Sequence, residues 1–302
     1  MKKLLITGSS GFIGQHLVER LQDKYQIHCL KSDLRQHAQV HQEIAALAPD
    51  LVVHLAARTE VEHSFYQQNI FSEINYVGTV NLIEGLLKCK KIPQLIFSST
   101  MEVYGWQPIS DQIQQGLIPN LMPVFNSTTV PNPNAPYAVA KLACEKYIEY
   151  AHRSHGLQYI TIRQTNAYGR RDNNFFVTEQ IITQMLSGDE CFLGYKTPYR
   201  NFLFISDLID AWESMIVNFD ACANKIFTLG PDNAIKIEDY ATMIADLLNW
   251  KGTIHWNTKP IRPGEIYLLN SSEKELNAIT KWQPKVSLVD GLNKTIQIWK
   301  NK

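Results

Sequence analysis

Tyr137 and Lys141 stand four residues apart in the stretch NPNAPYAVAKLACEKY. Pro136 suits the first turn of a helix, so both side chains are expected on one helical face. A lysine ammonium beside a phenol lowers the phenol pKa from about 10 towards neutral pH. Such a pair can act as general acid and base, moving a hydroxyl proton while a hydride leaves the same carbon. The alternative is a packed ring and a lysine whose stem lies along apolar surface.

A second pattern with chemical meaning is the glycine spacing of LLITGSSGFIGQHL, which holds Gly8, Gly11 and Gly14 between a predicted strand and a predicted helix. Glycines at such a junction permit a tight turn and a close approach of the backbone to a pyrophosphate at the helix N-terminus. The alternative is an ordinary strand–turn–helix. The position of the motif, between the first strand and the first helix, predicts a dinucleotide site.

The ribose of a dinucleotide is usually read at the end of the second strand, about 20 residues further on. That place holds Lys31, and Asp33 follows two residues later. A lysine there can pair with a 2′-phosphate, which slightly favours NADP over NAD. The alternative is that Lys31 is simply solvated.

Short apolar segments alternate with helical patterns through the first half of the chain, which predicts a parallel sheet with helices on both faces. The fold class is therefore α/β, a Rossmann-type doubly wound sheet with a smaller, interleaved C-terminal α/β substrate lobe. We expect an NAD(P)-binding domain at 1–165, with contributions from about 200–230. Residues 166–302 are expected to form mainly the substrate-binding lobe. The predicted strands are 3–7, 26–30, 51–55, 95–99 and 159–163. The predicted helices are 11–21, 40–47, 72–89, 138–151, 175–186, 206–219, 237–248 and 288–300.

Composition excludes several classes of function. The 29 basic and 29 acidic residues balance, and no run of lysine or arginine exceeds two, so no nucleic-acid partner is predicted. Five scattered cysteines without a CxxC pattern fit a reducing cytosol and predict neither disulfides nor a metal site. No apolar run approaches the length of a membrane span. We therefore expect a cytoplasmic protein with no membrane partner.

Taken together, the motifs resemble the extended short-chain dehydrogenase/reductase superfamily, in its NAD-dependent epimerase/dehydratase branch of nucleotide-sugar enzymes. The resemblance covers nearly the whole chain in the family's order. The matching pieces are TGSSGFIG (7–14), Asp33-Leu34, HLAA (54–57), NYVGTVNLIE (75–84), SSTMEVYG (98–105), PYAVAK (136–141), Arg163 with NAYG (166–169), RNFLFISDL (200–208) and RPGE (262–265).

The resemblance implies roles for individual residues. On the cofactor side they are Gly8, Gly11, Phe12, Ile13 and Gly14 for the pyrophosphate, Asp33 and Leu34 for the adenine, and Leu55, Ala56, Ala57 and Ser98 towards the nicotinamide. Tyr137 is implied as the catalytic base, Lys141 as its partner and ribose anchor, and Thr100 as the hydroxyl that bonds the reacting oxygen. Asn75 is implied to brace the backbone. Asn166, Arg200 and Arg262 are implied to hold the pyrophosphate of a nucleotide sugar.

One departure from the family pattern is the short segment after the second strand. In this respect the chain resembles compact sugar-nucleotide reductases more than the longer epimerases.

The triplet Thr100-Met101-Glu102 bears on the reaction. Family dehydratases often carry Thr-Asp-Glu or Thr-Ser-Glu there, because they need groups that remove and donate protons beyond the hydride step. Methionine cannot donate a proton. We therefore favour a C4 epimerase or 4-ketoreductase over a 4,6-dehydratase or decarboxylase that uses Glu102. The alternative from a different class is an inactive dinucleotide-binding regulatory protein.

The resemblance also implies a homodimer in which helices 72–89 and 138–151 pair across a two-fold axis; the same apolar faces could instead pack within one subunit. Residues 106–136 form a long, proline-containing segment that is expected to border the sugar site. Its apolar run at 116–125 could be a lid or an interface.

Overall fold

The computed structural model describes residues 1–117, 122–231 and 233–302. Its strands are β1 Lys3–Thr7, β2 Gln26–Cys29, β3 Leu51–His54, β4 Gln94–Thr100, β5 Tyr159–Gln164, β6 Asn166–Tyr168, β7 Glu190–Phe192, β8 Tyr199–Arg200, β9 Phe202–Phe204, β10 Lys225–Leu229, β11 Ile235–Lys236, β12 Thr253–His255 and β13 Leu268–Leu269. Its α-helices are α1 Phe12–Leu21, α2 His37–Leu47, α3 Val61–Ser64, α4 Gln68–Phe71, α5 Gly78–Leu87, α6 Ile109–Gln114, α7 Pro136–His155, α8 Val177–Ser187, α9 Ile205–Val217, α10 Phe219–Cys222, α11 Ile237–Leu248, α12 Lys274–Thr280 and α13 Leu288–Lys300.

The central sheet has six parallel strands in the order β10-β5-β4-β3-β1-β2. The chain reverses its winding between β1 and β3, so the crevice at the carboxyl ends of these strands is where such a sheet binds ligands. The predicted α/β fold class is confirmed. The segment after β2 is short, and β2 is an edge strand of the sheet. The residues of β2 are less buried than those of β1 or β3.

The core lies on both faces of this sheet, because successive side chains of a strand point to opposite sides. Leu4 and Ile6 of β1 belong to a cluster with Trp212 of α9, whereas Leu5 between them packs with Leu82 of α5 and Ile148 of α7. The apolar strands predicted from the sequence are therefore covered by helices on each side, as a parallel sheet requires.

Smaller sheets build the remainder of the chain beyond the cleft edge. β8 pairs with β11 and β13, β7 pairs with β12, and β6 pairs with β9. A third apolar cluster joins Met101, Tyr104 and Ile113 to the segment 266–269. None of the predicted helices lies within 106–136, because this segment has few helix signals. The structure nevertheless forms α6 there, and α6 buries Ile113. The apolar run at 116–125, for which a lid and an interface were both open, lies partly outside the described residues.

The predicted helix 72–89 divides into two parts. Ser72–Val77 forms a π-helical turn that runs directly into α5. The wider turn leaves the Asn75 carbonyl oxygen available to the Thr79 hydroxyl, which donates to it at 2.5 Å, and to the Cys144 thiol at 3.2 Å. Turns of this kind are frequent at functional sites. Likewise, the helix predicted over 206–219 ends at Val217, and a separate short helix follows.

Among the described residues, no helix combines the length and apolar character that crossing a bilayer would demand.

Candidate active site

A cleft of about 950 Å³ opens at the carboxyl ends of β1, β3, β4 and β5. One side of the cleft is formed by the glycine loop and the segment after β3, and the other by the smaller sheets. Most of the residues that the sequence pointed to line it: Gly8, Gly11, Phe12, Ile13, Gly14, Leu55, Ala56, Ala57, Ser98, Thr100, Glu102, Tyr137, Lys141, Asn166, Arg200 and Arg262.

The glycine loop is as tightly turned as its sequence predicted. Gly8 has φ +69°, and a Cβ there would lie 2.7 Å from the Ala56 nitrogen. A Cβ on Gly14 would lie 2.2 Å from the Gly8 carbonyl oxygen. The N-terminus of α1 carries no side-chain cap, so its N–H groups face the cleft with the positive end of the helix dipole.

A buried histidine, His54, links β1, β3 and α5 next to the cleft. His54, the last residue of β3, is bonded to the Thr7 hydroxyl at 2.7 Å and to the Thr79 hydroxyl at 2.8 Å. Burial, with a smaller effect of Lys141, lowers the pKa of His54 to about 3. The ring is therefore neutral and acts as a fixed link between β1, β3 and α5. The Thr7 hydroxyl also accepts a hydrogen bond from the Ala56 N–H at 3.2 Å.

Asn75 contacts the backbone as the resemblance implied. Its amide oxygen accepts from the Arg58 N–H at 2.8 Å, and its amide nitrogen donates to the Arg58 carbonyl at 2.9 Å. Both bonds hold the segment that leaves β3 along the edge of the cleft. The π turn is what points this buried side chain towards the backbone of residue 58.

Tyr137 and Thr100 both line the cleft, and the Thr100 side chain is close enough to act on the pKa of the Tyr137 phenol. Thr100 ends β4, and its hydroxyl also accepts from the Glu102 N–H at 3.2 Å, which caps a short 3₁₀ turn, Met101–Tyr104. Tyr137 is the second residue of α7, which begins at Pro136 as predicted. One turn later, Lys141 donates to the Ser98 carbonyl at 2.7 Å and lies 4.8 Å from the centre of the Phe97 ring.

The pKa of Tyr137 differs from the sequence expectation. Burial raises it well above its ordinary value of 10, and the Thr100 side chain offsets this only in part. The neighbouring charges that act on Tyr137 include Glu102 and Glu60, which also raise its pKa. Burial lowers the pKa of Lys141 to about 8. The expected lowering of the phenol pKa by Lys141 is wrong for this structure, because the ammonium is directed to the Ser98 carbonyl and desolvation dominates.

Three charged residues surround Glu102 on the far side of the cleft. Arg200 Nη2 lies 3.1 Å from Glu265 Oε1, and Arg262 makes two contacts of 3.1 Å with the same carboxylate. Burial raises the pKa of Glu102, the two arginines lower it, and Glu265 raises it again, with a net upward shift. The sequence singled out both arginines but missed the role of Glu265, although the residue stands in the quoted RPGE motif.

A buried ion pair between β5 and α7 supports the end of β4. Arg163 of β5 and Glu145 of α7 lie 2.7 Å apart and are both almost fully buried. The Ser99 hydroxyl also donates to Glu145, and Arg163 donates to the Tyr104 hydroxyl at 3.1 Å. The stretch SSTMEVYG is thus tied to the sheet on each side of Thr100. Asn166 is held separately, through a hydrogen bond of 3.2 Å to the Asn201 carbonyl.

A comparison with protein families shows which family the chain belongs to. The model of the NAD dependent epimerase/dehydratase family matches residues 4–230, three quarters of the chain. The chain belongs to this family. It is therefore an enzyme of the extended short-chain dehydrogenase/reductase group, as the motifs implied.

Individual relatives carry out different reactions. The dTDP-D-glucose 4,6-dehydratase of Dictyostelium discoideum is 28% identical over 282 residues, covering 82% of this chain and 62% of that protein. The GDP-6-deoxy-D-mannose reductase of Pseudomonas aeruginosa is 24% identical over 312 residues, covering 100% and 98%. The crystal structure of Thermus thermophilus UDP-glucose 4-epimerase with NAD has a TM-score of 0.86 at 23% identity and covers 99% of each chain. Other solved structures of this fold contain NAD or NADPH.

The glycine loop of this family member fits a dinucleotide. The loop leaves no space for a Cβ at Gly8 or Gly14, so its backbone, rather than side chains, forms the surface beside α1. Arg170, which the sequence analysis missed, lies 4.3 Å from the Phe12 ring and also lines the cleft. Its guanidinium is stacked on a second ring, Phe176, at 3.8 Å.

A smaller cavity of about 270 Å³ continues from Gly8 towards the edge of the sheet. Asp33 and Leu34, which the family resemblance implied would flank the adenine, line it together with Leu30, Ser32 and Arg35. Asp33 is paired with Arg35 at 2.6 Å, and these hydrogen bonds lower the pKa of Asp33. Lys31, by contrast, is exposed and is not among the lining residues.

Met101 does not face the cleft. Its side chain is 1% exposed and packs in the apolar cluster with Tyr104 and Ile113. The sequence analysis placed Met101 where a dehydratase carries a proton donor. The 3₁₀ turn after Thr100 instead points residue 101 into the protein and residue 102 into the cleft, so Met101 contributes no group to the site.

One surface group among the described residues has side chains of the types that bind metals: His37, His41 and Glu84, on α2 and α5. His41 Nε2 lies 3.1 Å from the Asn81 carbonyl oxygen, and its Nδ1 lies 3.1 Å from Lys88 Nζ. Both ring nitrogens of His41 are thus already engaged within the protein.

Proposed function

We propose that this protein is an NAD(P)-dependent nucleotide-sugar enzyme that acts by hydride transfer at the sugar C4, as an epimerase or a 4-ketoreductase. The observation that carries the proposal is that Thr100, Tyr137 and Lys141 line the same cleft as the glycine loop. A nicotinamide cofactor supplies or accepts the hydride when bound. We assign cofactor binding mainly to residues 1–165 and sugar binding mainly to 166–302.

On the cofactor side, Gly8, Gly11 and Gly14 with the start of α1 would hold the pyrophosphate, because uncapped N–H groups at a helix N-terminus bind anions. Lys141 is cationic at neutral pH, with a pKa of about 8. Its ammonium is fixed by the Ser98 carbonyl on the cleft wall, where it can donate to a ribose hydroxyl. The remaining cofactor contacts are proposed for Phe12, Ile13, Asp33, Leu34, Leu55, Ala56 and Ala57.

At the reacting carbon, Thr100 and Tyr137 would share the sugar oxygen. The raised pKa of Tyr137 keeps its phenol protonated, so the group is ready to donate a proton as a ketone becomes an alkoxide. This direction is the reductive half of an epimerase and the whole reaction of a 4-ketoreductase. A protonated phenol therefore suits the reductive step; in the oxidative half of an epimerase the phenolate would have to accept the hydroxyl proton.

On the sugar side, Arg200 and Arg262 are proposed to bind the diphosphate of the substrate, with Asn166 nearby. Planar guanidinium groups suit phosphate oxygens. Glu265 bridges both arginines, which fixes their spacing and orientation. A diphosphate would also bring negative charge to a pair of cations that share a single carboxylate.

A 4,6-dehydratase or decarboxylase is the second candidate, and Glu102 is the observation that favours it. The carboxyl lines the cleft next to Thr100, and its raised pKa brings it closer to exchanging protons at neutral pH. Met101 supplies no proton donor, because it is buried in the apolar cluster. The second reaction would therefore depend on a donor from elsewhere in the cleft.

The proposal is tested with a panel of nucleotide hexoses and their 4-keto derivatives, using mass spectrometry and cofactor absorbance. Consumption of a reduced cofactor identifies a reductase, and interconversion without mass change identifies an epimerase. Loss of water or carbon dioxide would identify the second candidate instead. Tyr137→Phe should abolish turnover, whereas Tyr150→Phe, an exposed tyrosine on the same helix, should not. A Tyr137→Phe variant with normal turnover would overturn the site assignment.

We also propose a homodimer formed through helices 72–89 and 138–151. Val77, Val139 and Tyr150 on these segments are between 43% and 51% exposed although they are large and apolar. Sedimentation of the native protein beside a Val139→Glu variant tests the proposal; a native monomer would contradict it.

A further inference from the structure

Glu43 of α2 reaches across to the loop that follows β2. Its Oε1 accepts from the Lys31 N–H at 2.9 Å, and its Oε2 accepts from the Ser32 N–H at 2.9 Å and from the Ser32 hydroxyl at 2.6 Å. Two consecutive backbone N–H groups and a hydroxyl thus converge on one carboxylate. The carboxylate is half-buried behind the loop.

The loop that Glu43 holds is a wall of the smaller cavity. Ser32 lines that cavity, together with Leu30 and with Gly8 of the glycine loop. The end of the second strand of such a fold is where the adenosine ribose of a dinucleotide is read. Two of the three donors belong to Ser32, which lines this cavity, and the third is the N–H of the preceding residue, Lys31.

Consecutive N–H groups with a nearby hydroxyl form a favourable site for a phosphate. In this structure the site is taken by a carboxylate of the same protein. Burial alone would raise the pKa of Glu43, but the hydrogen bonds from Ser32 and from the backbone lower it overall. The side chain is therefore ionised at neutral pH and carries a negative charge next to Ser32, which lines the smaller cavity.

The cations of this region offset that charge only in part. Lys31 acts electrostatically on Glu43 itself. Arg35 also lines the smaller cavity, but its guanidinium is bound to Asp33 by three side-chain hydrogen bonds of 2.6–3.1 Å, and the negative charge of Glu73 also acts on it. The acidic charges around the loop thus match or exceed the basic ones, whereas a 2′-phosphate site needs an excess of positive charge.

We propose that Glu43 selects NAD over NADP by occupying the donors of the ribose loop and repelling a 2′-phosphate. The inference rests on the proposed function, because it requires a dinucleotide in the cleft. It reverses the expectation of NADP that Lys31 suggested, since the Lys31 N–H is bonded to Glu43 and Lys31 does not line the smaller cavity. Glu43 acts through Ser32 and Lys31, so it is a specificity residue and not a catalytic one.

The test is equilibrium binding of NADH and NADPH, followed by the change in cofactor fluorescence at constant ionic strength. The native protein is expected to bind NADH at least tenfold more tightly than NADPH. Glu43→Gln and Glu43→Ala should each shrink this preference at least tenfold, chiefly by tightening NADPH, while NADH affinity changes less than threefold. Asp23→Asn, which removes an exposed carboxylate at the far end of α1, should leave the preference unchanged.

The outcomes separate the two proposals. Native protein that binds both dinucleotides but prefers NADPH, or variants with the native preference, would overturn the role of Glu43 and leave the proposed function standing. Native protein that binds neither dinucleotide would overturn the proposed function and this inference together. Variants that lose NADH as strongly as NADPH would show that Glu43 only holds the loop, which also contradicts the inference.

Discussion

Replacing Lys141 with methionine is expected to remove activity and yet stabilise the fold. Lys141 is 3% exposed, and burial lowers its pKa from 10.5 to about 8. Each pKa unit corresponds to about 1.4 kcal/mol, so holding the charge in the folded protein at neutral pH costs about 3 kcal/mol. Methionine has a similar length and no charge, which removes this cost.

The substitution also removes a hydrogen bond. Lys141 Nζ donates to the Ser98 carbonyl at 2.7 Å, and leaving that carbonyl without this donor costs about 1 kcal/mol. The net gain in the free energy of unfolding is then about 2 kcal/mol. With an unfolding entropy of about 2.1 cal/mol/K per residue, a chain of 302 residues should gain about 3 °C in Tm.

The pH dependence gives the same reasoning a second test. Below about pH 8, Lys141 is protonated in both the folded and the unfolded protein, so the full cost is present. Between about pH 8 and 10.5 the folded protein releases this proton while the unfolded chain keeps it, so the native free energy of unfolding rises with pH. The advantage of Lys141→Met over the native protein should therefore shrink as pH rises above 8.

Calorimetry and urea unfolding at pH 7 and pH 9.5 measure both effects. Lys146→Met is the matched control, because Lys146 lies on the same helix with its side chain 61% exposed in a surface pair with Glu149. The control should change stability by less than about 1 kcal/mol. The reasoning fails if Lys141→Met lowers Tm, or if its advantage does not depend on pH.

Two further substitutions test the elements that position the site. Gly14→Ala should weaken dinucleotide binding more than tenfold, because its Cβ would lie 2.2 Å from the Gly8 carbonyl oxygen; titration with NADH should show no such loss for Gly188→Ala, where nothing lies within 4 Å. Glu145→Gln should lower the free energy of unfolding by about 3–5 kcal/mol, because it leaves the buried Arg163 guanidinium without its carboxylate. Urea unfolding measures this loss, and a change no larger than that of Glu149→Gln on the same helix would contradict it.

The parts of this protein that the sequence predicted well are local ones. The glycine spacing at 8, 11 and 14 can be read directly, because the turn and the helix that follow it are made by neighbouring residues. The same holds for Pro136 at the start of α7 and for the four-residue spacing of Tyr137 and Lys141, which the helical repeat places on one face. Apolar strands between amphipathic helices were enough to predict a parallel sheet, and the edge of that sheet indicated where the cleft would lie.

Other features depend on contacts between residues far apart in the chain. The π turn at Asn75 is tied to Arg58 and to Cys144, and nothing in the sequence around residue 75 distinguishes it from an ordinary helix. Met101 was assigned to the cleft by its place in a motif, but the core cluster that receives it is built from residues 113, 125 and 266–269.

By itself, then, the sequence determined the family, the order of the elements and the residue types at the cleft, because these follow from motifs and from spacing along the chain. The tertiary structure decided the charge state of those residues. Desolvation sets the pKa of Tyr137 and of Lys141, and it depends on everything packed around the two side chains. Two contacts likewise depend on folding: the ion pair of Glu265 with Arg200 and the hydrogen bond from the Ser32 N–H to Glu43. Both form only because folding brings a carboxylate close to a donor that is distant in the sequence.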